Sequence, residues 1–255
     1  MKDKRILFVS SEVVPYLPET ELSLTAFNAA KNAHSKGVQT RIFMPRYGVI
    51  NERRHQLHEV IRLSGMNLVV NDMDMPLIIK VASIPKERMQ VYFIDNEEYF
   101  KRKAVFTDED DQLFDDNDER AIFFAKGVVE TVKKLNWAPD IIHVHGWMAS
   151  LLPLYLREFY NEEPLFTETK IITSVYNNPF EGTLSEELAD KVTFDLKNND
   201  KIATIKTPNH TNILKSAIEN SDAIIYGSED ISEELSSFIE EKKIPVLGFQ
   251  EENFK

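Results

Sequence analysis

The feature that most constrains this chain is an alternation of two hydrophobic periods. Short β-branched and aromatic runs occupy 5–10 ("RILFVS"), 40–44 ("TRIFM"), 77–83 ("LIIKVAS"), 90–94 ("QVYFI"), 140–144 ("DIIHV"), 170–174 ("KIITS"), 223–226 ("AIIY") and 244–247 ("IPVL"). Between many of them the apolar residues recur at helical spacing. Leu22, Ala26, Phe27, Ala30 and Ala33 fall on one face, as do Ile122, Ala125, Val128, Val129, Val132 and Leu135. Leu151, Leu154, Tyr155 and Phe159 make a third stripe, interrupted near its start by Pro153. A fourth helix is expected over 230–241, opened by Asp230 and Glu233 as a capping pair. Strands that alternate with helices form a mostly parallel sheet covered on both faces. The expected fold is therefore α/β, Rossmann-like and doubly wound. The denser strands before Asp95 predict a hairpin inserted near one edge of that sheet. Without an internal repeat or a Pro/Gly/Ser linker, residues 1–255 read as one domain.

Composition then narrows the function. The chain has 255 residues and a formal net charge of −12. So acidic a surface repels phosphate backbones and anionic lipid, which argues against nucleic acid and membrane partners. It has no cysteine, so disulfides, thiolate nucleophiles and thiolate metal sites are excluded. The start is too polar for a signal peptide and no apolar run approaches a membrane span, so the expected address is the cytoplasm. In a doubly wound sheet, ligands bind beyond the carboxyl ends of the strands. The informative loops are therefore those after Ser10, Met44, Val144, Ser174 and Tyr226.

Six strings occur in order along those loops and their flanks: "ILFVSSEVVPY", "MPRYGVIN", "VYFIDNEEYFKR", "FDDNDERAIFFAKG", "PDIIHVHGWMASLLPLYLRE" and "NILKSAIENSDAIIYGSEDISEEL". Together they resemble the N-terminal half of the bacterial glycogen synthase and plant starch synthase family. That resemblance implies a retaining glucosyltransferase ancestry, with glucose moved from ADP-glucose to the end of an α-1,4-glucan. It also implies the GT-B arrangement, two Rossmann-like domains facing each other across a cleft. This chain corresponds to the first domain alone. The C-terminal nucleotide-binding domain, where the family keeps most of its nucleotide contacts and its paired basic residues, has no counterpart here.

Several positions depart from the family. Its first loop reads Lys-x-Gly-Gly-Leu followed by Ala-Asp. Here the lysine position is Pro18, the glycines are Thr20 and Glu21, the aspartate is Leu24, and only Leu22 is kept. Glycine allows close backbone approach to a diphosphate and lysine supplies a cation. Pro18 offers neither a charge nor an N–H. Glu19 or Glu21 placed ~4 Å from a phosphate would cost on the order of 4 kcal/mol. The same residues also read as a helix opening, with proline at the first helical position, acids against the helix dipole and a stop at Gly37.

The other family-matched cleft residues are His145, Asp116, Asn177 and Tyr47. His145 keeps the second histidine of the family's His-x-His-Asp-Trp, with Gly146 in place of aspartate. In "TSVYNNPFEG", Tyr176 takes a histidine position and Asn177 and Gly182 match, while Phe180 and Glu181 replace tyrosine and glutamine. Asp116 precedes Asn117 and Arg120 as in the family, and equally serves as a helix cap. His143 and His145 share a strand face but lack a third ligand, and His143 reads as a buried, hydrogen-bonded histidine. The acidic run 108–119 lacks the spacing of a calcium loop and reads as a mobile, solvated segment. The sequon at Asn209 is idle in a cytoplasmic protein. No metal and no cofactor is expected. The expected partners are an α-glucan or sugar, and a chain carrying the second domain or a second copy covering an apolar cleft face. The expected role is a glycogen-synthase-like domain, non-catalytic alone. The alternative is half of an active ADP-glucose-dependent glucosyltransferase completed by a partner.

Overall fold

The computed structural model describes residues 4–194 and 200–251. Its sheet runs in the order β10 (Val246–Leu247), β9 (Ala223–Tyr226), β8 (Lys170–Val175), β7 (Ile141–His145), β1 (Arg5–Ser10), β2 (Gln39–Pro45), β6 (Gln90–Asp95), β5 (Met73–Ser83) and β3 (His58–Glu59). From β10 to β6 every pairing is parallel. β5 then runs antiparallel to β6, and β4 (Met66–Val70) hairpins back onto β5. The expected edge hairpin is present.

All eight strands read from the sequence are found. The two not read, β3 and β4, are a polar pair and a strand with alternate residues exposed. The central strands β1, β2, β6 and β7 carry Leu7, Val9, Ile42, Phe43, Phe93 and Val144, each fully or almost fully buried. This is the continuous apolar signature of strands covered on both faces.

The helices are α1 (Glu21–Ser35), α2 (Glu97–Phe100), α3 (Asn117–Leu135), α4 (Leu152–Leu154), α5 (Leu188–Thr193), α6 (His210–Glu219) and α7 (Glu233–Lys242). Three local expectations are corrected. Helix α1 does not start at Pro18. Thr20 is its cap, accepting from Ser23 N–H at 3.0 Å while Ser23 Oγ accepts from Thr20 N–H at 2.8 Å. The reciprocal pair satisfies two end groups, which a proline at the first position could not do. Helix α7 is capped by Ser232, whose side chain accepts from Leu235 N–H, and not by Asp230.

The acidic run is also not simply solvated. Asp108 folds it back by accepting from the Asp110 and Gln112 N–H groups, and Asn117–Glu119 are already helix. Asp118 is buried because Lys191 of α5 reaches it at 2.8 Å and Glu119 at 2.8 Å. Pro153 is tolerated in the first turn of α4, where its missing N–H is not needed, and Tyr155–Phe159 continue the stripe as a π-helical turn. Helix α1 stops where expected, with Gly37 at φ +82°. Asn209 caps α6 by accepting from Asn212 N–H at 2.8 Å.

The order in which the parallel strands are laid down reverses between β1 and β7: β2 follows β1 on one side and β7 to β10 follow on the other, with Ser10 opposite His145. That is the topological switch point, and the crevice beyond it is the expected ligand position.

Candidate cleft at the switch point

A cleft of about 420 Å³ opens at this place. The loop after β1 and the start of α1 bring Glu12, Thr20, Glu21 and Leu22, and the end of β7 brings Trp147. The loop after β8 brings Tyr176 and 177–180, and the acidic segment brings Phe106, Thr107 and Leu113. These loops are tied together by a row of aromatic rings. Tyr47 meets Phe106 edge-on at 5.5 Å, Phe106 meets Trp147 at 4.8 Å, Trp147 meets Phe180 at 5.0 Å, and Phe180 meets His210 at 5.2 Å. Each such pair adds to area burial and fixes relative ring angles.

The floor is closed. His145 has no exposed surface, and its Nδ1 lies 2.7 Å from the Tyr176 hydroxyl. Behind it, His143 is 4.0 Å away ring to ring and pairs through Nε2 with Ser174 Oγ at 2.8 Å. Phe8 of β1 packs on both imidazoles. Burial lowers His143 to about 3, and burial together with the neighbouring His143 holds His145 well below the ordinary histidine value. Both rings are neutral at pH 7. Burial likewise pushes the Tyr176 phenol far up, so it stays protonated.

Tyr176 fits because Gly227 faces it. A Cβ there would stand 2.3 Å from the Tyr176 ring. Gly146 is equally constrained: it sits at φ +81°, and a Cβ would stand 2.5 Å from Ser11 Oγ and 2.7 Å from Leu22 Cδ1. Ser11 Oγ in turn accepts from Met148 N–H at 3.1 Å.

The rim is acidic. Glu12 accepts from Thr20 Oγ1 at 3.0 Å, and its burial raises its pKa, partly offset by that hydrogen bond. Glu21 accepts a short hydrogen bond from Ser228 Oγ, which also accepts from Asn177 N–H at 2.9 Å. Among the described residues no Lys, Arg or His lines the cleft. Among the described residues no group of three or more His, Asp or Glu is arranged to hold a metal ion.

The sequence-derived site residues therefore separate. Thr20, Glu21 and Asn177 line the cleft, and Pro18 does not; it is exposed, and its carbonyl accepts from Ser23 Oγ at 2.9 Å. His145 lies beneath the floor and is not open to the cleft. Tyr47 is wholly buried, its ring 5.7 Å from the Arg120 guanidinium. Asp116 faces a different cavity, beside Met75, Asn96 and Tyr99, and pairs with Arg102 at 2.6 Å. It stands at the cap position of α3 without making a cap hydrogen bond. Glu12 and Phe106 were not singled out from sequence. Glu12 carries one usable signal, an acid two residues past the switch-point strand. Phe106 carries none, since its place is set by contacts with Tyr47 and Trp147 far along the chain.

The large exposed apolar side chains do not gather at this cleft; they include Val69 and Met73 at the β4–β5 hairpin and Val246 and Leu247 on the edge strand β10. Among the described residues no helix is long and apolar enough to cross a membrane.

Residues 5–244 match the family described as starch synthase catalytic domain. Among curated proteins, the chain is 34% identical over 253 residues to a glycogen synthase of Chlorobium luteolum, covering 98% of this chain and 50% of that one. It is 34% identical over 255 residues to a glycogen synthase of Chlorobium limicola, covering 96% and 52%. The chain thus spans about half the length of these relatives. Among solved structures, the catalytic domain of starch synthase IV from Arabidopsis thaliana, bound to ADP and acarbose, superposes with a TM-score of 0.76 at 18% identity, over 96% of this chain and 51% of that one. That likeness carries the fold, one half of a GT-B glycosyltransferase. On the family match and the glycogen synthase relatives together, this chain belongs to the starch synthase catalytic domain family.

Proposed function

We propose that this chain is a glycogen-synthase-like domain whose cleft takes a neutral carbohydrate, an α-glucan end or free sugar, and does not hold ADP-glucose in the family manner. The observation that carries the reading is the cleft lining, which among the described residues has two carboxylates, Glu12 and Glu21, and no cation. A diphosphate entering it would meet like charge without a guanidinium, ammonium or glycine-rich backbone to offset the cost. A sugar meets hydrogen-bonding carboxylates, the Asn177 and Asn178 amides, and the aromatic edges of Trp147 and Phe180. The sealed His145 supports the same reading, because a group hydrogen-bonded beneath Tyr176 does not touch a bound sugar. On this reading the chain alone transfers no glucose, since nothing in its cleft stabilises a leaving diphosphate. Isothermal titration calorimetry with ADP-glucose and with maltooligosaccharides tests it. Heat is expected from the oligosaccharides alone, and micromolar binding of ADP-glucose sinks the reading.

A second reading is favoured by the family histidine retained at His145 and by the length of the relatives. In it, another polypeptide supplies the nucleotide-binding half and rearranges Tyr176. Glucan-elongation assays of the chain, alone and mixed with candidate partners, decide between the two. Absence of turnover in every mixture, or a His145→Ala change without effect on turnover, removes the second reading.

A further inference from the structure

A second cavity of about 420 Å³ lies between the loop after β1, the 51–57 segment and the turn joining β5 to β6. Among the described residues its charged lining is one-signed: Arg54, Lys86 and Arg88, with His55 beside them and no carboxylate. In a chain of net charge −12 that is the unexpected sign. Among the described residues none of these three cations has an ion-pair partner. The acid of the same turn, Glu87, pairs instead with Lys31 at 3.0 Å, and Glu52 is held by Arg46 and Lys80.

The independent observation is Tyr16. Its side chain lines the cavity and is 5% exposed, and its hydroxyl is buried without any hydrogen-bond partner. The ring is fixed by Phe93, edge-on at 4.9 Å, and by His55 at 5.0 Å. A buried hydroxyl left without a partner is costly and rare, and points to a group that completes it. The backbone agrees: Gln56, Lys86 and Arg88 all line the cavity in left-handed torsions, at φ 54°, 71° and 58°. Non-glycine residues in that region concentrate at ligand clamps.

We propose that this cavity binds a phosphate group, with Arg54, Lys86 and Arg88 supplying the cations and the Tyr16 hydroxyl a hydrogen bond. Three cations and a hydroxyl match a dianion with several acceptor oxygens better than a single carboxylate. The volume lies in the range of small-molecule sites, and Ile84 with the Tyr16 ring gives an apolar wall for an attached organic group. The surrounding acidic surface disfavours a polyanion. His55 reports on occupancy, because burial and the neighbouring Arg54 lower its pKa. A bound dianion reverses the second of these effects.

The test uses the full chain at low ionic strength, with inorganic phosphate and phenyl phosphate as probes. The readouts are the His55 ring resonance, assigned with His55→Gln, and the melting temperature. Saturable binding is expected, with the His55 pKa rising on occupancy. The Arg54→Gln/Arg88→Gln double variant changes only exposed side chains, and should lose about tenfold or more in affinity. Tyr16→Phe should weaken binding by a smaller factor. Tighter binding of phenyl phosphate identifies an organic ester, and equal binding identifies free phosphate. Absence of saturation by either probe, or a double variant that binds as tightly as the parent, overturns the proposal.

Discussion

The loop after β1 serves two cavities of equal volume and opposite charge. Glu12, Thr20 and Glu21 stand at the cleft, and four residues past Glu12 the Tyr16 side chain reaches the other cavity. Among the described residues the cleft holds two carboxylates and no cation, and its neighbour holds three unpaired cations and no carboxylate. The cleft floor is packed, with His145 and Tyr176 paired and both facing glycines filled to contact. His145 Nε2 beneath the floor and the Tyr16 hydroxyl are both buried without a partner among the described residues, and it is the other cavity that adds three cations without ion-pair partners. A fold can thus keep its crevice while the charge suited to phosphate stands elsewhere. Backbone placement and ligand chemistry are separable layers of one sequence.

The most disruptive way to break this contrast is to open the floor. Tyr176→Ala removes an almost fully buried ring and should cost about 3–5 kcal/mol, the range for large-to-small aromatic changes in cores, read from urea denaturation. Gly146→Ala should cost about 3 kcal/mol by the same assay, combining left-handed strain with collision against Ser11 and Leu22.

Acidification acts on the same floor. In the unfolded chain a histidine takes up its proton near pH ~6.5, whereas in the fold His143 titrates at about 3 and His145 well below its ordinary value. Their contribution is therefore whole above ~6.5 and is lost as pH falls, by up to ~1.4 kcal/mol per pH unit for each ring. Glu12 and Asp118, raised by burial, act in the opposite sense through the carboxylate range and offset part of the loss at lower pH. Urea midpoints measured at about pH 7 and pH 5 should fall together in the parent and less steeply in His145→Gln, by about one proton. An unchanged slope in that variant contradicts a neutral, sealed His145.

Smaller effects sharpen the comparison. Tyr176→Phe leaves a buried imidazole nitrogen without its hydroxyl and should cost about 1–2 kcal/mol. Glu21→Gln, at an exposed first-turn position, should change stability by about 0.5 kcal/mol or less while halving the rim charge. Nucleotide affinity should rise more in the Glu12→Gln/Glu21→Gln double variant than in either single change, as seen by calorimetry.

The parallel sheet and its hairpin were legible because buried strands carry continuous apolar runs and α1 and α3 carry clean helical stripes. The strands β3 and β4 were missed because a two-residue polar pair and a half-exposed strand carry no such run. The capping assignments failed where two candidate residues stood a few positions apart: Thr20 with Ser23 outcompeted Pro18, and Ser232 outcompeted Asp230. At the site, the substitutions at Thr20, Glu21 and Tyr176 were visible as changed chemistry. That Tyr176 shuts His145 away was not, because it depends on Gly227 of another strand end leaving room for the ring. That Asp116 lines a separate cavity and pairs with Arg102 was not legible either, because that pairing has no local signature.

We propose that the switch-point cleft excludes the diphosphate and admits a neutral sugar. A titration of the ¹⁵N-labelled chain followed at the amides of Gly146, Asn177 and Asn178 tests it most directly. Maltooligosaccharide is expected to shift these resonances while ADP-glucose, to about 1 mM, leaves them in place. Saturable, micromolar shifts of the same amides by ADP-glucose would contradict it.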